Sequence, residues 1–252
     1  MDKKLKTIVI IPTYNEVQHI ERLISEIVYS QPEFYILVVD DNSPDRTGMV
    51  VQELSKINNK IKVLHRSRKT GLGKAYVEGF RHVLSREPHY EMFIQMDADF
   101  SHHPKYLKDL INAMENNDFC IGSRYIFGGR IIDWRLDRRF LSYVANFYTR
   151  FFLRIKVKDC TSGFRCFKRE VLENINIETI KADGYLFQIE VINRCLQNGY
   201  VFTEVPITFI ERKEGKSKLG FYEILEAFWG VLKLSISNST NKFFRKTYKF
   251  VK

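Results

Sequence analysis

Cysteine is scarce in this chain of 252 residues. Its four thiols, Cys120, Cys160, Cys166 and Cys195, show neither zinc-ligand spacing nor the density of a disulfide scaffold, which leaves free thiols in a reducing compartment. Long apolar runs are missing too. A membrane-crossing helix needs about 18 or more apolar residues in a row. The nearest approach, Ile224 to Ile236, is broken by Glu226 and Lys233, so no transmembrane helix is predicted. The basic start, Met1 to Lys6, leads into Thr7 to Pro12, which is too short and too β-branched for the core of a secretion signal. Internal repeats, low-complexity linkers and nucleic-acid recognition motifs are absent. Acid is in deficit: 30 Asp and Glu face 40 Lys and Arg, a formal charge of +10. Such a surface suits an anionic partner, which narrows the field to a phosphorylated substrate, an anionic membrane face or nucleic acid.

What is present is an alternation of buried strands and amphipathic helices. Thr7–Ile11, Tyr35–Val39, Ile61–Leu64, Met92–Met96 and Phe119–Gly122 are short apolar runs that read as strands, the first ended by Pro12. Between them lie helical patterns starting near Asn15 and over Asp45–Lys56, Leu72–Leu84 and Pro104–Glu115. This order predicts an α/β fold, a mostly parallel sheet with helices on both faces. Beyond residue 130 the pattern changes. Over 130–158, eight basic residues interleave with seven aromatic ones, and Leu136, Phe140, Tyr143, Phe147 and Phe151 keep helical spacing. Such a segment either lies on a membrane interface or packs its rings on the core. The tail, 221–252, repeats the theme, with an apolar side (Phe221, Ile224, Leu225, Phe228, Val231, Leu232) followed by a basic-aromatic end. The expected division is therefore a domain over 1–220, which contains the segment 130–158, and a C-terminal amphipathic helix with a basic tail.

Ligands of open α/β sheets bind outside the carboxyl ends of the strands, and the unusual residues fall there. Asp97 and Asp99 follow the fourth strand. On extended backbone, carboxylates at i and i+2 project to one side and can hold a divalent metal that grips phosphate oxygens. A bare Asp-x-Asp pair is also a common solvated turn. Tyr14 can stack on a base and Glu16 can accept from a ribose or base edge; the plainer reading is a capping Asn15 beside a solvated Glu16. Asp41 can accept from a nucleoside, or belong to an Asx turn with Asn42-Ser43-Pro44. Gly71-Leu72-Gly73-Lys74 lacks phosphate-loop spacing and reads as close backbone approach at a helix start.

Taken in order, Ile10-Ile11-Pro12-Thr13-Tyr14-Asn15-Glu16, Val39-Asp40-Asp41-Asn42-Ser43-Pro44-Asp45, Gly71-Leu72-Gly73-Lys74-Ala75, Met96-Asp97-Ala98-Asp99-Phe100-Ser101-His102-His103-Pro104 and Gly122-Ser123-Arg124-Tyr125 resemble family 2 glycosyltransferases of the nucleotide-sugar-binding A-type fold. The similarity is greatest to the dolichol-phosphate (polyprenol-phosphate) mannosyltransferases. It continues through Asp159-Cys160-Thr161-Ser162-Gly163-Phe164-Arg165, Phe187-Gln188-Ile189-Glu190 and Glu204-Val205-Pro206-Ile207, and on to Arg212 and Ser217-Lys218-Leu219-Gly220, covering roughly residues 7 to 225. The resemblance implies that Pro12, Tyr14, Glu16, Val39 and Asp41 line a nucleoside pocket. It implies that Asp97, Ala98 and Asp99 meet the ribose, diphosphate and metal, Asp99 as direct ligand. Ser101 stands where some relatives carry a glutamine ligand and joins Asp97 and Asp99 in the implied metal set. Arg124 would touch donor or acceptor phosphate, Arg138 the acceptor phosphate, and Arg212 with Lys218 would close over the donor diphosphate. Asp99, Arg124 and Arg138 would carry the catalysis.

The implied reaction is mannosyl transfer from GDP-mannose to polyprenyl phosphate with inversion, using Mg²⁺ or Mn²⁺, on the cytoplasmic face of a membrane. A small membrane-anchoring subunit is a further possible partner. Other readings are glucosyl transfer from UDP-glucose, a polysaccharide acceptor needing a base such as Asp159 or Glu190, or a non-catalytic membrane-surface module. An RNA-binding role conflicts with basic residues that follow an amphipathic helix instead of striping a sheet.

Overall fold

The computed structural model describes residues 5–210 and 225–238. The first half alternates as expected: β1 (Thr7–Thr13), α1 (Val17–Ser30), β2 (Tyr35–Asp40), α2 (Thr47–Ile57), β3 (Ile61–His65), α3 (Leu72–Arg86), β4 (Met92–Gln95). A 3-10 turn, Pro104–Tyr106, leads into α4 (Leu107–Asn112) and β5 (Phe119–Ser123). Then come β6 (Arg130–Ile132), α5 (Leu136–Leu153), β7 (Arg165–Lys168), α6 (Arg169–Asn174), α7 (Gly184–Gln197), β8 (Phe202–Pro206) and β9 (Thr208–Ile210). A further helix, α8, covers the described residues 225–238.

Seven strands form one sheet in the order β3-β2-β1-β4-β7-β5-β8, and β6 pairs with β9 apart from it. All pairs are parallel except those of β7, which runs antiparallel to both β4 and β5. Side chains alternate across the sheet, as period-two backbone requires. Val9, Ile11, Ile36 and Val38 meet Ile20, Leu23 and Ile27 of α1, Val51 of α2 and Leu107 of α4. Ile8, Ile10, Leu37 and Val39 meet Tyr76, Phe80 and Val83 of α3, with Phe187 and Ile192 of α7 in the same layer. The expected A-type α/β architecture is present, with helices on both faces.

Three boundaries differ for physical reasons. Pro12 does not end β1; the strand runs on to Thr13, and Pro12 is in register with Val39. The Ile10 carbonyl accepts from Met96 and the Thr13 carbonyl from Asp41. By alternation, the N–H that proline lacks faces the β4 side, where β4 pairing has already stopped at Gln95. Asn15 does not cap α1, because it takes a left-handed conformation (φ 61°) and the helix begins two residues later. Pro104–Glu115 is a 3-10 turn and a short helix instead of one long helix.

Helix α5 reverses the usual sidedness. Its buried residues are Asn146, Thr149 and Leu153. Leu136, Phe140, Tyr143, Phe147 and Phe151, the predicted stripe, are 56–80% exposed. The stripe therefore does not pack on the core. Helix α8 closes over the other side of α5: the Tyr148 hydroxyl donates to the Phe228 carbonyl (3.0 Å), and Ser235 Oγ donates to the Phe152 carbonyl (2.8 Å). Asn193 and Asn238 exchange amide hydrogen bonds. Val231 is buried in the same layer; Phe221 and Ile224 of the predicted tail face lie outside the described residues.

Candidate active site

The β1 and β2 ends are tied together by a loop that caps a helix it does not precede. The amides of Asn15, Glu16 and Val17, at the start of α1, donate to Ser43 Oγ (3.1 Å), Thr47 Oγ1 (3.0 Å) and Asp45 Oδ2 (3.0 Å). Burial opposes ionisation of Asp45, but the Thr47 hydroxyl and the Val17 and Thr47 amides outweigh it and hold the carboxyl below its ordinary range. Asp40 is the turn organiser, accepting from Thr13 Oγ1 (3.0 Å), from the Ser43 amide (3.0 Å) and from Ser43 Oγ (2.6 Å). Asp41 points elsewhere and pairs with Arg66, which also holds Glu78 (2.8 Å). Burial raises the Asp41 carboxyl despite that guanidinium. Tyr14 is half-buried, with Lys69 Nζ 3.9 Å from its ring centroid, and Pro12 and Val39 lie buried side by side.

The acidic pair lies past β4, not on it. The chain bends after Gln95, with Phe100 at φ 60°, so the i, i+2 argument from extended backbone does not apply. Side-chain contacts set the geometry instead. Asp97 Oδ1 accepts from the Tyr76 hydroxyl (2.8 Å), and the Asp97 amide donates to His102 Nδ1 (3.0 Å). Burial keeps His102 below its ordinary pKa, in keeping with a neutral ring whose Nδ1 accepts; the ring stacks on Phe164. Asp99 Oδ1 accepts from the Ser101 amide (3.1 Å), which curls the turn, and Ser101 is buried. Across from the pair, Gly163 leaves room that a side chain would fill: a Cβ there would sit 3.4 Å from Asp97 Oδ2. Two carboxylates and a hydroxyl are hard oxygen donors that suit Mg²⁺ or Mn²⁺. No group of three or more His, Cys, Asp or Glu gathers among the described residues, so an ion here would draw its other ligands from substrate and water.

Gly73 explains the glycine motif that opens α3. Its amide donates to Asp183 Oδ1 (2.6 Å), and a Cβ there would lie 2.6 Å from the Ala182 carbonyl oxygen. That carbonyl is backbone and cannot rotate away. Gly73→Ala is expected to lower unfolding free energy by about 1–3 kcal/mol in a denaturant titration.

The second half of the site is built around Arg124, at the end of β5. Its Nε and Nη2 donate to the two Asp159 oxygens (both 2.7 Å) and Nη2 also reaches Thr161 Oγ1 (2.8 Å). Burial works against this charge, but Asp159 holds it above its ordinary range. Asn146, on the buried polar face of α5, accepts from the Cys160 amide (2.7 Å) and so fixes the Asp159 segment. Arg138 lies 4.2 Å from the Trp134 ring centroid. Both arginines line a cavity of about 220 Å³ whose other walls include Val144, Tyr148, Ile189, Phe228 and Val231. Beside the arginines its lining is mostly apolar, and it lies between α5, α7 and α8. Asp159 is fully buried in its ion pair and Glu190 is held by Arg194 (2.6 Å), so neither is poised as a base.

Residues 8–175 match the family described as glycosyl transferase family 2. The chain belongs to glycosyltransferase family 2. A polyprenol monophosphomannose synthase of Mycolicibacterium smegmatis is 42% identical over 233 residues, 92% of this chain and 87% of that one. An undecaprenyl-phosphate mannosyltransferase of Micrococcus luteus is 38% identical over 215 residues, 85% of this chain and 88% of that one. Among solved structures, a mannosyltransferase from Pyrobaculum calidifontis in complex with GDP-Man and Mn²⁺ superposes with a TM-score of 0.56 at 17% identity, covering 94% of this chain and 74% of that one. A glucosyl-3-phosphoglycerate synthase from Mycobacterium tuberculosis, solved with Mn²⁺, UDP and phosphoglyceric acid, gives 0.65 at 17% identity, covering 92% and 78%. At these identities the structures establish the shared fold.

In this glycosyltransferase the acidic turn and the Arg124–Arg138 cavity stand at the carboxyl side of the sheet, as expected. Tyr76, His102 and Gly163 escaped the sequence reading. Tyr76 sits at a helical core spacing, and only the fold brings its hydroxyl to Asp97. Arg212 and Lys218 lie outside the described residues.

Proposed function

We propose that this glycosyltransferase moves a mannosyl group from GDP-mannose to the phosphate of polyprenyl phosphate. The observation that carries the reading is the cavity lined by two arginines and, beside them, mostly apolar residues. A phosphate monoester with a long isoprenoid tail has that same division. The names of the two relatives point to the same acceptor class and to mannose.

The acceptor chemistry agrees with the side chains. A phosphate monoester is largely dianionic near neutral pH, with a second pKa of about 6, and attacks without a general base. The engagement of Asp159 and Glu190 in ion pairs disfavours a sugar hydroxyl as acceptor for the same reason. What the reaction needs is cation to bring two anions together, and guanidinium suits phosphate by its planar fork. Arg138 is assigned to the acceptor phosphate, with Arg124 lining the same cavity. Pro12, Tyr14, Glu16, Val39 and Asp41 are assigned to the nucleoside, and Arg212 and Lys218 to the donor diphosphate. Asp97, Asp99 and Ser101 would hold Mg²⁺ or Mn²⁺, which when bound supplies positive charge to the departing diphosphate. The transfer is a single in-line displacement at the anomeric carbon, with inversion; a trapped glycosyl-enzyme would refute it. On this reading the exposed stripe of α5 meets the cytoplasmic leaflet, from which the lipid enters, with or without an anchoring subunit.

The test supplies the full chain with labelled GDP-mannose or UDP-glucose, Mg²⁺ or Mn²⁺, and polyprenyl phosphate in detergent. Label is expected in an acid-labile lipid from GDP-mannose. Transfer from UDP-glucose alone would reassign the sugar, and no lipid product from either donor would refute the acceptor.

A further inference from the structure

Beside the acceptor cavity lies a second, more open groove of about 670 Å³. Its walls are β6 and the first turns of α5. Arg124 lines both spaces, but its charge is answered by Asp159. The other two arginines of the groove, Arg130 and Arg139, are exposed and pair with no carboxylate among the described residues. Asp137, from the same turn of α5, is taken by Arg135 (3.0 Å). The remaining wall residues include Phe140 and Tyr143, which belong to the exposed aromatic stripe, and Ile132, itself 40% exposed.

Two unanswered guanidinia beside exposed aromatic rings suit one environment, the boundary where lipid phosphates meet acyl chains. Rings settle at that depth, and basic side chains there gain from anionic lipid. A soluble anion would account for the arginines but not for the solvent-facing Phe140 and Tyr143. The groove's size is in the range of small-molecule sites, enough for a phosphodiester headgroup. We propose that this groove binds the headgroup of an anionic glycerophospholipid, at a place separate from the acceptor phosphate. The inference rests on the reading that α5 meets a membrane. It adds that the leaflet must be anionic and that Arg130 and Arg139 do the recognising.

The experiment is flotation of the full chain with vesicles of phosphatidylcholine alone, or with phosphatidylglycerol added at about one lipid in five. Wild type is expected to favour the anionic vesicles. Arg130→Gln/Arg139→Gln should lose about thirtyfold of that binding, the effect of removing two interfacial cations, while binding neutral vesicles as before. Its mannosyl transfer to polyprenyl phosphate in detergent should be unchanged. That assay reports on the acceptor separately, so loss of transfer activity in wild type would refute the proposed function and not the headgroup site. Arg81→Gln/Lys108→Gln removes equal charge from exposed positions on α3 and α4 and should bind like wild type. Equal loss in this control, no loss in the groove variant, or no anionic preference in wild type would each overturn the proposal. So would calorimetric binding of glycerol 3-phosphate in the absence of vesicles that is as tight as vesicle binding, since that would make the ligand soluble.

Discussion

Asp99→Ala should reduce mannosyl transfer by about a thousandfold or more while leaving the folded state intact. The side chain makes a local contact with the Ser101 amide, in a turn outside the sheet. The side chain is only half-buried and no core residue packs on it, so the melting temperature should move by no more than about 2 °C. Catalytically it should remove the ligand assigned to the metal. A bound divalent ion contributes several kcal/mol to charge stabilisation, and about 4 kcal/mol corresponds to a thousandfold. The check is initial rate with labelled GDP-mannose at saturating metal, beside a melting curve. Retention of a tenth of the activity would remove Asp99 from the metal set. Asp97→Asn is the informative companion, since Tyr76 and His102 hold that residue by its side chain and its backbone. Its rate should recover in part at high Mn²⁺, whereas that of Asp99→Ala should not.

Asp159→Asn should be the most destabilising isosteric change in the second half of the chain. Neither partner of the Arg124–Asp159 pair is more than 5% exposed at its side chain. Neutralising the acid leaves a guanidinium buried with no counter-charge, which costs about 3–5 kcal/mol. For a chain of this size, each kcal/mol lowers the melting midpoint by about 2–4 °C, so a fall of about 10 °C is expected by calorimetry. A double change, Arg124→Met with Asp159→Leu, should recover part of that loss: the apolar pair needs no counter-charge, but the buried Arg124 amide loses the Asp159 oxygen it donates to (2.9 Å). The double variant also separates two roles of Arg124. If the guanidinium serves the lipid phosphate, the variant is folded and poorly active; full activity would confine Arg124 to structure.

Up to residue 123 the strands were legible as short continuous apolar runs, which in β1, β2, β4 and β5 are buried on both faces, and the helices by their 3.6-residue period. Pro12 misled because proline was read as a stop, when its missing N–H merely faces a side with no partner. The acidic pair was legible as chemistry but not as geometry: Tyr76 and His102 reach Asp97 from α3 and from the following loop, and no sequence period connects them. Strand β7 was invisible for a different reason. It is four residues long, carries Arg165 buried at one end and Lys168 at the other, and has no alternation to detect. The stripe of α5 is legible from its spacing, and its exposure removes the reading in which the rings pack on the core. Arg124 was identified as a cation of the site, but its pairing with Asp159 spans 35 residues that local pattern does not bridge.

The antiparallel placement of β7 has a consequence for how such a chain can diversify. Ile121 on β5 and Arg165 on β7 are register partners, so the stretch between them leaves the sheet and returns beside its point of departure. It carries Arg124, Trp134, Arg138, all of α5 and Asp159, hence most of the proposed acceptor side. A detour with neighbouring anchors is a cassette. Because closure entropy grows only slowly with length, its contents can be lengthened, shortened or exchanged without re-registering β1 to β4. The same chassis could then be refitted by grafting one contiguous segment, with β1 to β4 untouched.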